Sequence, residues 1–170
     1  MNQLKMVKLS MTDIPEANVP EEYGLRVLKP GEKNKWEELC DKMFKSENKF
    51  EKIIGVQPGY REDGVFVITD GDKLIATGTA LCDCGCVHMI AADSEYSGKK
   101  LGYEITAAVL RRLRRENLEK AWLTTDDFRL PAIKSYYNLG FIPDLSVDET
   151  MRERWENIYK IFGWELNEYI

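Results

Sequence analysis

The chain has 170 residues, 44% of them hydrophobic, and its 24 Lys and Arg against 29 Asp and Glu give a formal net charge of −5 at pH 7. That length suits one domain with a sizeable core and leaves little room for a second. The acidic balance speaks against a general nucleic-acid binder, whose phosphate contacts need a clustered basic surface, and it suits a cationic acceptor better.

The opening MNQLKMVKLSMTDIPEANVP lacks the compact apolar core of a signal peptide, and no run reaches membrane-spanning length, so a cytoplasmic protein without membrane contact is expected. Residues 1–22 are polar, hold Pro15 and Pro20 and alternate poorly; they are expected to form an N-terminal arm, extended over the domain or disordered, ahead of a single domain over residues 23–170. From Gly24, LRVL supplies a strand that Pro30-Gly31 ends. Trp36, Leu39, Cys40, Met43 and Phe44 then recur at the spacing of one buried helix face. A weaker helical piece surrounds Phe50, Ile53 and Ile54 before the Pro58-Gly59 break.

Val65 to Thr69 and Leu74 to Leu81 are β-rich runs joined by Asp70-Gly71-Asp72, a hairpin signal. A turn at Asp83 to Gly85 leads into a further apolar run from Val87 to Ala92, so three antiparallel strands follow one another. Cys82, Cys84 and Cys86 lie too close together for two metal-binding pairs, and alternation puts Cys82 and Cys84 on one strand face as small hydrophobes; no metal site and reduced thiols are expected.

Asp93-Ser94-Glu95 closes the Val87 strand, and from Leu101 the apolar residues Leu101, Ile105, Ala108, Val109 and Leu113 describe a helix. Between them lies SGKKLG. Gly98 and Gly102 allow close backbone approach, the first helical turn leaves amides without partners, and Lys99 and Lys100 add charge, so the natural occupant is a phosphate or pyrophosphate. The arginines at 111, 112, 114 and 115 form a solvated helix face, one of which could meet a ribose phosphate.

AWLTT (Ala121 to Thr125) is the next strand, and the helix between it and the Val87 strand makes the two parallel. Asp126, Asp127 and Pro131 start a short helix that runs to Leu139 with Gly140 as its C-cap, and Phe141 opens a last strand. Ser146 and Glu149 have capping-box spacing ahead of a helix marked by Met151, Trp155, Ile158 and Phe162. The Trp155 and Trp164 region is a candidate homodimer interface.

The order of elements, the loop EYSGKKLG and the stretch LTTDDFRLPAIKSYYNLGFIP, in which Ala132, Tyr136, Leu139, Gly140 and Phe141 match, resemble the GCN5-related N-acetyltransferases over roughly residues 24–147. The resemblance implies an α/β fold with a mixed, mostly antiparallel central sheet, splayed central parallel strands and flanking helices, the acyl-CoA N-acyltransferase fold. It also implies acetyl-CoA as co-substrate, no metal, and direct acetyl transfer to an amine carried by a small molecule, a peptide or a protein. Backbone groups of Ile90, Ala91 and Ala92 would pair with pantetheine and polarise the thioester carbonyl. Ser97, Gly98, Lys99, Lys100, Leu101 and Gly102 would surround the pyrophosphate. Tyr136 is the candidate acid for the departing thiolate, because a phenol stays protonated at neutral pH, and Tyr137 is assigned to the core or the coenzyme wall. For the base the candidates are His88, the only histidine, although alternation sets it opposite Met89, and a water chain held by backbone carbonyls or by a carboxylate such as Asp126.

The loop departs from the family pattern in two places. Ser97 stands where the family has Arg or Gln, and Lys100 stands at its first glycine. The rival reading is therefore a non-catalytic module that binds acyl-CoA or a partner through a degenerate loop. If residue 100 requires positive φ, a lysine costs ~1 kcal/mol there.

Overall fold

A computed structural model describes residues 2–170. Seven strands make one sheet: β1 (Leu4–Lys8), β2 (Gly24–Val27), β3 (Val65–Asp70), β4 (Lys73–Leu81), β5 (Cys86–Ala92), β6 (Ala121–Thr125) and β7 (Ile142–Asp144). Their spatial order is β2-β3-β4-β5-β6-β1-β7. Every neighbouring pair is antiparallel except β5 and β6, which are parallel and joined by a helical crossover. The four α-helices are α1 (Lys33–Phe44), α2 (Leu101–Arg114), α3 (Leu130–Asn138) and α4 (Met151–Phe162). The fold class expected from the sequence is the one found.

Each helix buries the stripe its spacing describes. Trp36, Leu39 and Cys40 of α1 pack with Phe50 and Ile54, which sit at a π-helical turn (Glu51–Gly55), against Val65 and Val67 on one face of the sheet. On the other face Val109, Leu110 and Leu113 of α2 join Ile133 of α3 and Trp155 of α4 in the largest core cluster. A side chain of that size contributes roughly 1.5–3 kcal/mol when fully buried.

The N-terminus departs from expectation. Leu4–Lys8 is an inner strand inserted between β6 and β7, with Leu4 opposite Thr125 and Met6 opposite both Leu123 and Pro143. Leu4 and Met6 are fully buried. Lys5 lies opposite Asp144 and pairs with it at 2.9 Å. The segment LKMVK is short and lysine-flanked, and both of its partner strands lie more than a hundred residues later, so its pairing leaves no local trace. Downstream, Met11 and Ile14 are buried, and the backbone amide of Asn18 donates to the buried Glu104 carboxylate of α2 at 2.7 Å.

Three smaller expectations are also corrected. Cys82 and Cys84 do not share a strand face, because β4 ends at Leu81 and residues 82–85 turn, leaving Cys84 exposed. Burial pushes the Cys86 thiol up to about 12. The capping box does not form: the Ser146 hydroxyl donates to Asp144, and α4 begins after an Asp148–Thr150 turn. Arg112 is not solvated but 8% exposed, held by Asp63 and Glu116. Trp155 is fully buried, and Trp164, half-buried, stacks between Tyr137 and Phe162. Among the described residues no helix is long and apolar enough to cross a membrane.

Candidate functional site

The two parallel strands touch at one point. Cys86 is opposite Trp122, whose amide donates to the Gly85 carbonyl at 3.0 Å, and beyond that pair β5 leaves β6. A bulge in β5 accompanies the parting. Thr77 and Thr79 of β4 face Ala91 and His88, so β5 carries one extra residue there, and Met89 takes it up at φ +50°. An inserted residue bends a strand and increases its twist.

The bulge overturns the expected alternation. Val65, Thr79 and His88 are opposite one another across three strands, which puts His88 on the α1 face. Met89 packs in that same α1-side cluster, whereas Ile90 and Ala92 pack with Leu101 and Ile105 of α2. His88 and Met89 thus share a face instead of opposing each other.

The gap between the strands is a cleft of about 330 Å³. His88, Met89 and Ile90 line it from β5, Thr124, Thr125 and Asp126 from the end of β6, Phe44, Ser46 and Asn48 from the end of α1, and Arg129 and Tyr136 from α3 and its approach. Two buried polar atoms on its wall, His88 Nε2 and Thr125 Oγ1, have no hydrogen-bond partner among the described residues. Buried polar groups are rarely left so, and these are the atoms a polar ligand would satisfy.

Burial lowers the pKa of His88, with the neighbouring Ile53 carbonyl pulling weakly upward, so the ring is neutral at pH 7. The unfolded chain binds the proton first, near the ordinary pKa of about 6.5, so stability contributed by neutral His88 is complete above that value and is lost as pH falls below it. Urea unfolding at pH 7.5 and 5.5 should therefore show a drop for the native chain that shrinks in His88→Gln; equal drops would mean the ring is not held neutral by the fold.

Tyr136 reaches the cleft because of how α3 ends. The Gly140 amide donates to the Tyr137 carbonyl at 2.9 Å and the Phe141 amide to the Tyr136 carbonyl at 3.1 Å, with Gly140 at φ +82°. This is the Schellman pattern, and its usual apolar contact is here the Tyr136–Phe141 ring pair, 6.0 Å between centroids. The Leu-Gly-Phe stop therefore clamps Tyr136. Burial raises its pKa, only partly opposed by the Arg129 charge, so the phenol stays protonated at neutral pH. Among the described residues its hydroxyl makes no hydrogen bond.

Asp126, the carboxylate weighed as a base, accepts from Gln3 at 3.0 Å and from Arg129 Nε at 2.8 Å, so it belongs to the wall of the cleft. Tyr137 is not at the cleft at all: adjacent helical residues point about 100° apart, and its ring stacks on Trp164 at 4.1 Å. Thr125 and Gln3 carry no site signal in the sequence. A threonine ending a strand, or a residue ahead of an unrecognised strand, has no signal before the strands are brought together.

At the far end of β5, Asp93 anchors the glycine loop, accepting from the Glu95 amide at 3.1 Å and pairing with Lys42 at 2.8 Å and Lys73 at 3.1 Å. Ser97 and Gly98 follow, Gly98 at φ +84°, and Lys100 begins α2 at φ +58°. None of the amides of Gly98, Lys100, Leu101 and Gly102 donates to another group among the described residues. The Leu101 side chain is anchored in the core and Lys99 lies 3.7 Å from Glu22. The loop thus presents free donors and two lysines at a helix N-terminus, an anion site.

The Acetyltransferase (GNAT) family profile matches residues 32–141. Among solved structures the chain is similar to a GCN5-related N-acetyltransferase from Sphaerobacter thermophilus, at 14% identity and TM-score 0.66 over 84% of this chain and 49% of that one. It is also similar to a GCN5-related N-acetyltransferase from Kribbella flavida, at 19% identity and TM-score 0.57 over 83% of this chain and 54% of that one. The ribosomal-protein-S18-alanine N-acetyltransferase from Escherichia coli aligns at 17% identity and TM-score 0.57 over 69% of this chain and 76% of that one. The chain spans about half the length of the first two. No curated protein matches its sequence. At such identities the structural likeness is one of fold.

Proposed function

Because this chain belongs to the GNAT acetyltransferase family, we propose that it is an acetyl-CoA-dependent N-acetyltransferase that passes the acetyl group directly to an amine in the cytoplasm. The observation that carries this reading is the parting of β5 from β6 after one residue pair, beside a loop of free amides and a buried tyrosine. The unpaired edge of β5 suits the amides of a pantetheine arm, and the loop from Ser97 to Gly102 suits a pyrophosphate.

When bound, acetyl-CoA supplies the thioester; the chain supplies donors and acceptors for the charge that moves. A backbone amide among Ile90, Ala91 and Ala92 donates to the carbonyl oxygen as negative charge gathers there. His88, neutral and with Nε2 free, accepts a proton from the amine directly or through water as its nitrogen bonds to the carbonyl carbon; an Nδ1–H facing Ile53 would hold that tautomer. Tyr136 donates its phenolic proton to the sulfur as the carbon–sulfur bond breaks. Purified protein given acetyl-CoA and a panel of amines, amino acids and peptides should release free CoA, and saturating acetyl-CoA, about 100-fold above Kd, should stabilise it by about 2.7 kcal/mol. Absence of both release and stabilisation would end the reading.

Lys100 supports a second reading. A lysine at φ +58° is strained where the family has glycine, as a relic loop that no longer grips a coenzyme would allow. Lys100→Gly should raise stability by about 0.5–1 kcal/mol after the extra flexibility of an unfolded glycine is counted. Tighter acetyl-CoA binding in that variant favours the degenerate module; weaker binding shows that the lysine charge compensates for its strain.

A further inference from the structure

Among the described residues Arg129 is the one Lys or Arg on the wall of the cleft between β5 and β6. Its Nε donates to Asp126 at 2.8 Å, and that carboxylate is itself held by Gln3. Neither terminal nitrogen makes a hydrogen bond or ion pair among the described residues. The guanidinium carbon lies 4.8 Å from the Phe44 ring and 5.4 Å from the Phe128 ring, on which it rests as a cation on two aromatic faces. Fixed at Nε by its counter-ion and in plane by the rings, the group offers Nη1 and Nη2 as a preorganised fork, the geometry that takes a carboxylate in bidentate fashion.

Its direction decides which substrate it meets. Phe44 ends α1, so Arg129 leans toward the α1 side of the sheet, the side that also carries His88, while the glycine loop and Leu101 belong to the α2 side. Phe128, 77% exposed, adds an apolar shelf at this position. Behind it the cleft offers neutral polar groups: Thr125 Oγ1 without a partner, Asn48 and Ser46.

Resting on the acetyl-transfer reading above, we infer that Arg129 is a specificity-determining residue and that the acceptor is a small amine bearing a carboxylate. This reverses the preference for a cationic acceptor drawn from net charge: that charge is spread over the whole surface, whereas the cleft wall carries a cation with two free donors.

The test compares amino acids with their decarboxylated counterparts, phenylalanine against phenethylamine and γ-aminobutyrate against propylamine, with spermidine as a purely cationic amine, at saturating acetyl-CoA. Carboxylate-bearing amines should show kcat/KM at least 10-fold higher. Arg129→Ala should raise their KM about 10- to 100-fold, the range of a charge-assisted pair of hydrogen bonds, and Arg129→Lys should recover only part. Arg129→Gln, which keeps a donor for Asp126 but no charge, should behave as Arg129→Ala does, and it stands in if the alanine variant fails to fold. Equal turnover of the decarboxylated partners, preference for spermidine, or acetyl-CoA stabilisation with no amine turned over overturns the acceptor class and leaves the coenzyme site standing. Absence of both acetyl-CoA stabilisation and turnover overturns the acetyl-transfer reading and this inference with it.

Discussion

Tyr136→Phe is expected to lower kcat by about 100-fold, the lower end of what a positioned general acid contributes. The variant isolates the hydroxyl. The ring stays clamped by the Gly140 and Phe141 hydrogen bonds and against Phe141, and no group among the described residues loses a partner when the oxygen goes. Stability should therefore change by less than about 1 kcal/mol, because burying one polar oxygen fewer offsets the small void it leaves. Acetyl-CoA should still stabilise the variant, separating a lost acid from a lost site. The pH profile adds a second readout: with its pKa above the ordinary tyrosine value, the phenol itself should impose no loss of activity up to about pH 10. A kcat within threefold of the native value would leave Tyr136 a packing role.

Met6→Asp should abolish folding near room temperature or lower Tm by about 10–20 °C, the response of a domain this size to a loss of about 5 kcal/mol. Met6 is fully buried in a strand flanked on both sides, opposite Leu123 and Pro143. The substitution forfeits roughly 1.5–3 kcal/mol of apolar burial and then either buries a charge or forces the carboxyl to protonate. Leu9→Asp, one residue beyond the strand and 44% exposed, is the control and should stay within about 1 kcal/mol of the native chain. Thermal and urea unfolding of both would decide the matter. A loose N-terminal arm would make them alike; an inner strand makes them differ sharply.

The contrast shows which parts of the molecule were legible. α1 and α2 read clearly because helical periodicity is local: Trp36, Leu39 and Cys40, or Leu101, Ile105 and Val109, recur within a few turns. The hairpin at Gly71 and the stop at Gly140 read for the same reason, each needing a backbone shape that glycine supplies. β1 did not, since a five-residue strand is defined by partners near the other end of the chain. The resemblance implies a bulge in the strand before the loop, but its place at Met89 was not legible, because no residue in VHMIAA marks where an extra residue will be absorbed.

The candidate site divides along the same line. Lys100 was singled out from the loop pattern, and its φ of +58° answers the question the pattern posed. Tyr136 is legible from its motif, but its place on the cleft wall needed α3 packed against α2 and brought to the cleft. Tyr137, one residue on, went to Trp164 instead, since an aromatic pair gives no hint which ring faces inward.

By itself the sequence determined the class of fold, the glycine loop and helix that offer an anion site, and the tyrosine that closes α3, because each is written in neighbouring residues. Only the tertiary structure decided that β1 completes the sheet, that the bulge turns His88 toward α1, and that Arg129 lies against two phenyl rings with its fork free. Those features arise where segments far apart in the chain meet, and no local spacing records them.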